Sequence, residues 1–70
     1  METRMFDQSV TVLSTDGNHA EIFNRGDRVK NITIIGTRVI FEPVDTSRVA
    51  RTYAMEWSQF ASNTTAVREA

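Results

Sequence analysis

Arg28-Val29-Lys30-Asn31-Ile32-Thr33-Ile34-Ile35-Gly36-Thr37-Arg38-Val39-Ile40-Phe41-Glu42-Pro43 is the stretch that decides the fold. Apolar residues, almost all β-branched, recur on both sides of Gly36-Thr37. Such side chains are stiff at χ1 and pack well on a pleated surface. Gly36-Thr37 is either a tight turn joining two strands or a bulge bending one long strand. Pro43 ends the run because it donates nothing to a ladder, and Val44-Asp45-Thr46-Ser47 reads as a loop.

Working toward the N-terminus, Asn24-Arg25-Gly26-Asp27 is a turn, and His19-Ala20-Glu21-Ile22-Phe23 is a strand leading into it. Thr15-Asp16-Gly17-Asn18 is a hairpin signal, since Asp, Gly and Asn tolerate the positive φ of tight turns. Ser9 to Ser14 is the partner strand, with apolar residues on both faces at its end. A three-residue loop of Asp16, Gly17 and a left-handed Asn18 sets Val12 against Ile22 and Ser14 against Ala20. A two-residue loop would set Val12 against Glu21, so the first register is preferred. Residues 1–8 show no period and read as a loosely held arm, leaving 9–70 as a single small β domain.

Toward the C-terminus, residues 48–61 admit two readings. At helical spacing, Val49, Tyr53, Trp57, Phe60 and Ala61 form a stripe, giving a sheet covered by one helix over 47–62. At period two, Val49, Tyr53, Met55 and Trp57 share a face and extend the sheet. The second is preferred, because a hairpin-rich sheet with a free edge gains from another strand. Trp57 to Phe60 is then a 3₁₀ turn and Thr64 to Val67 a short last strand.

The composition of the 70 residues agrees with a sheet. Seven valines, five isoleucines and nine threonines make 21 β-branched residues, against a single leucine, Leu13. A chain this short buries only about 60% of its unfolded surface, and without cysteine it has neither a disulfide nor thiol chemistry to draw on. The expected fold is mainly β: a small, partly open barrel of about five strands. Its expected core is Val10, Val12, Ile22, Val29, Ile32, Ile34, Val39, Phe41, Val49 and Phe60.

Whole classes of chemistry lack support. One histidine, His19, beside a hairpin turn, orders no triad and builds no metal cage, so no catalytic residue, metal or cofactor is expected. The three glycines stand apart at 17, 26 and 36 and make no phosphate loop. Arg25-Gly26-Asp27 spells an adhesion tripeptide, which Gly26 at a turn accounts for; Asn31-Ile32-Thr33, in an expected strand, and Asn63-Thr64-Thr65 spell glycosylation acceptors, and neither has an export context. The longest apolar run, Val39 to Phe41, is far too short to span a membrane. Met1-Glu2-Thr3-Arg4 lacks the layout of a signal peptide, so the expected location is cytoplasmic. A net charge of −1 argues against a general polyanion binder.

Phe23-Asn24-Arg25-Gly26-Asp27-Arg28-Val29 resembles the opening of many SH3-like small barrels, where an aromatic, a Gly-Asp turn and a valine begin a strand. Gly26 to Val29 is also similar to the opening of the plasmid-type dihydrofolate reductase barrels. Their substrate-binding Val-Gln-Ile-Tyr segment has no counterpart here, so that activity does not carry over. The resemblance covers about seven residues and implies an SH3-like fold class. A compact, cysteine-free domain also suits small regulatory or accessory proteins of phages and plasmids.

Seven of the eight basic residues are arginine, which forms bidentate pairs and stacks on aromatic faces. Arg48, Arg51, Tyr53 and Trp57 have the composition of a binding hot spot. The expected function is a non-catalytic protein-protein interaction module using that surface. The rival is a small nucleic-acid-binding barrel in which Arg25, Arg28, Lys30 and Arg38 meet phosphates while an aromatic stacks a base. Open edges at 37–42 and at the last strand suggest a homodimer.

Overall fold

The computed structural model describes residues 3–67. The chain is mainly β: seven antiparallel strands form one sheet curled into a half-barrel, with one short helix near the C-terminus. In chain order the elements are β1 Thr3–Phe6, β2 Val10–Ser14, β3 Ala20–Phe23, β4 Arg28–Ile35, β5 Arg38–Pro43, β6 Tyr53–Glu56, α1 Trp57–Asn63 and β7 Thr64–Val67. Across the sheet the strands run β3-β2-β6-β5-β4-β1-β7.

The two hairpins around Gly17 and Gly36 form, but not quite as expected. Gly36, at φ 60, is the first of the two residues between Ile35 and Arg38, so Gly36-Thr37 is a turn. The bulge lies instead at Asn31 and Ile32, between the Lys30–Glu42 and Thr33–Ile40 pairs. Asn31 takes the positive φ (52°) that a bulge of this kind places at its first residue, and its Nδ2 donates to Glu42 at 3.0 Å. The extra residue switches the alternation of β4. Val29 points inward before it, and Ile32 and Ile34 take the inner face after it.

In the β2–β3 hairpin the register is shifted by one from the expected pairing. Val12 lies opposite Glu21, and Thr11 opposite Ile22. Phe23 thereby enters the core and Ile22 is left 55% exposed. The inward glutamate, which made this register look poor, is satisfied at the rim of the core. It accepts the Tyr53 hydroxyl and sits 3.5 Å from Arg48.

The core is an aromatic cluster lined by valines. Phe6, Phe23, Phe41, Tyr53 and Phe60 are fully buried with Val12, Val29 and Val39. Phe23 meets Tyr53 edge-on with centroids 5.0 Å apart, Phe41 lies 5.1 Å from Phe60, and Phe6 lies 5.1 Å from Phe23. Each large ring removes 150–250 Å² from water, which suits a core too small to waste positions. Ile34 and Val49, expected inside, are exposed, and Val10 and Ile32 pack only at the edge of the cluster. Aromatic rings from β1, β3 and β6 fill the space those aliphatics were assigned.

The arm expected over 1–8 is, over Thr3–Phe6, strand β1, paired with both β4 and β7. Phe6 anchors it. Residues 48–52 belong to the loop after β5 rather than to a strand or to a helix over 47–62, and the last strand before α1 starts at Tyr53. The expected 3₁₀ turn is the α-helix Trp57–Asn63, whose sequence contains no β-branched residue. It stops where Thr64-Thr65 resumes the sheet. Its last carbonyls are met by side chains: Asn63 Nδ2 donates to Gln59 and Thr64 Oγ1 to Phe60. No helix among the described residues is long and apolar enough to cross a membrane.

Candidate interaction surface on the outer face

Residues of β2, β5 and β6 that do not point into the core meet on the opposite face of the sheet. The register aligns Ala20, Leu13, Ala54, Ile40 and Thr33 in one row across five strands. The next row carries Glu56, Arg38 and Ile35. Directly opposed side chains on one face lie about 5 Å apart, so each row is a continuous strip. Leu13 is 50% and Ile35 59% exposed. A depression of about 420 Å³ opens here, lined by Leu13, Ile35, Ile40 and Ala54 together with Asp16 and Arg38. The outer face of an antiparallel sheet ordinarily carries polar residues. This one carries a leucine and isoleucines.

The residues expected to bind a partner separate into two groups. Tyr53 is fully buried, and its hydroxyl donates to Glu21 while accepting the Ala50 amide at 3.2 Å. Burial, then the hydrogen bond to Glu21, raises its pKa above the ordinary 10.0. Arg48 is turned inward as a brace. Its guanidinium carbon sits 4.0 Å from the Phe23 ring centroid, Nη1 donates to the Ile22 carbonyl at 2.7 Å, and Nη2 meets Asp27 at 2.6 Å. Because β3 is an edge of the sheet, the Ile22 contact also covers one of its free carbonyls. Tyr53 and Arg48, both expected at a binding surface, are thus engaged in contacts within the fold. Arg51 is exposed, and Trp57 is 37% exposed with its ring 6.0 Å from Phe60.

The basic residues do not gather into a groove. Arg28 and Lys30 share the outer face of β4, where Lys30 pairs across the sheet with Glu42. Lys30, Glu42, Asp45 and Arg51 line a second depression of about 280 Å³, with charges of both signs. Arg38 lies four residues along β5 from Glu42, about 13 Å away at strand rise, and opposite Glu56. Arg25 belongs to the turn before β4. Of the two sheet edges expected to be open, β7 is one; β5 is internal, between β4 and β6.

Acidic groups are used to fix turns. The Ser14 hydroxyl and then the Asn18 amide hold the Asp16 carboxyl below its ordinary value, and the Ser47 amide and hydroxyl do the same for Asp45. Among the described residues no group of three or more His, Cys, Asp or Glu is placed to hold a metal ion.

Alternation toward the core hides the outer-face strip in the sequence. Its signal was present in Val12-Leu13 and in Val39-Ile40-Phe41, where apolar residues occupy both faces of a strand. Comparison with family models, with curated proteins and with solved structures finds no match.

Proposed function

We propose that the chain is a non-catalytic protein-binding module that docks its partner on the outer face of the sheet, across β2, β6 and β5. The apolar row through Leu13, Ala54 and Ile40, extended by exposed Ile35, is the observation that supports this reading. Contiguous exposed apolar surface on a small domain marks an interaction site more often than scattered single residues do. Arg38 and Glu56 border the row and supply the polar rim that such interfaces carry. The surface thus moves from the Arg48 and Tyr53 region to the opposite face. An SH3-like identity for the half-barrel belongs to the same proposal and rests on the Phe23 to Val29 opening.

A capture experiment tests the reading. The wild-type chain is used as bait beside Leu13→Asp and Arg28→Glu, with and without nuclease, at two salt concentrations. Protein that survives nuclease and high salt, and that is lost with Leu13→Asp but kept with Arg28→Glu, supports it. Recovery of nucleic acid alone, lost with Arg28→Glu and weakened steeply by salt, reverses it in favour of a nucleic-acid-binding barrel.

A further inference from the structure

We infer that the occupant of the outer face is a second copy of this chain, packed sheet on sheet about a two-fold axis that runs along the strands between β5 and β6. The inference rests on the outer face being a docking surface, and it names the partner from the order of residues across the rows. A two-fold axis in that position exchanges β5 with β6 and β4 with β2 between copies. In the first row Ile40 then faces Ala54 of the second copy, and Leu13 faces its Thr33. A large side chain meets a small one each time, the alternation that lets two packed layers interdigitate. In the second row Arg38 faces Glu56 of the second copy, and Glu56 faces its Arg38.

The charges point to the same partner. Arg38 and Glu56 are exposed, and among the described residues neither forms an ion pair or a side-chain hydrogen bond within its own chain. A face carrying one positive and one negative group at equal offsets from a two-fold axis is complementary to itself. Five strands at their usual spacing span only about 20 Å, so the contact falls in the small class of interfaces and the association is weak. Aligned sheets cross at about 30°, which keeps the central residues nearest the axis in register.

Sedimentation equilibrium of the full chain from about 10 μM to about 1 mM tests this. The mass is expected to rise from 7.9 kDa toward twice that value. Arg38→Glu and Glu56→Arg each place like charges together at two symmetric points between copies, as well as across β5 and β6 of their own chain, and are expected to weaken dimerisation about tenfold or more. An equimolar mixture of those two variants pairs opposite charges at both points and restores the dimer, as does the double variant. Circular dichroism of each variant confirms that the sheet is retained. The inference is overturned by a chain that stays monomeric throughout, by single variants that dimerise like wild type, or by a mixture that fails to restore association. A monomeric wild type whose capture of another protein still depends on Leu13 overturns the second copy and leaves the docking face standing. Association indifferent to Leu13→Asp, Arg38→Glu and Glu56→Arg alike removes both.

Discussion

Replacing Arg48 with methionine keeps an apolar stem of similar length and removes every charged contact of the side chain. Four contacts are lost, the 3.5 Å pair with Glu21 among them, and the other three carry the magnitude. The guanidinium over Phe23, 4.0 Å from the ring centroid, contributes about 1 kcal/mol as a partly desolvated cation–π contact. The 2.7 Å bond to the Ile22 carbonyl contributes about 1 kcal/mol, because water can reach an edge strand and replace part of it. The pair with Asp27, whose side chain is 37% exposed, contributes about 0.5 kcal/mol after solvent screening. Together these give about 2 to 2.5 kcal/mol. For a domain of this size that is a fall in Tm of about 10–20 °C. Arg51→Met is the control, since that side chain is exposed and is expected to change stability by less than about 0.5 kcal/mol. Thermal and urea unfolding of the two variants beside wild type gives the comparison. Equal stabilities for the Arg48 and Arg51 variants would refute the assignment of Arg48 as a brace across the β3 edge.

Acid and alkali should each weaken the fold through identified groups. The Tyr53 hydroxyl, and then the charge of Arg48, hold the Glu21 carboxyl below its ordinary 4.5; Asp16 and Asp45 are held below 3.8. The unfolded chain therefore binds more protons over that range, so their stabilisation is present above about pH 4.5 and is lost as the pH falls. Tyr53 is shifted the other way, so its contribution is intact below pH 10 and declines as the pH rises beyond that. Midpoints of unfolding across this range should show a shallower acid limb in Glu21→Gln, and an unchanged one would contradict the network. Gly26, at φ 96, should cost about 1 kcal/mol when changed to alanine, through backbone strain alone, because no atom lies within 4 Å of the added carbon. Asn31→Gly should stay within about 0.5 kcal/mol of wild type, since relief at φ 52 offsets the lost bond to Glu42; a larger loss would show that the Glu42 contact, rather than the backbone, holds the bulge.

Local chemistry made the positions of most strands and turns legible. Gly17, Gly26 and Gly36 all stand in turns with positive φ, and β-branched runs became β2, β4 and β5. Register was less legible, because it depends on what an inward polar residue meets. Glu21 looked like a reason to reject its pairing with Val12 until Tyr53 and Arg48 were seen to satisfy it from 32 and 27 residues away. The same long-range contacts engage Arg48 and Tyr53, whose hot-spot chemistry is used within the protein. Phe6 carried no periodic signal, since it stands beside Met5 in an otherwise polar stretch that pairs with strands far along the chain. Leu13 and Ile40 showed their signal in sequence, as apolar residues beside Val12, Val39 and Phe41. Only the register showed that they lie in one row.

The isoleucines and the lone leucine report on both faces of the sheet, so methyl-labelled NMR at increasing protein concentration tests self-association through the outer face most directly. Ile35 and Ile40 lie on the outer face with Leu13, whereas Ile32 packs against the core. The account predicts concentration-dependent shifts centred on Leu13, Ile35 and Ile40, with Ile32 unmoved, and their disappearance in Arg38→Glu. Shifts centred instead on Val44 and Val49, in the loop that carries Arg48 and Arg51, would contradict it.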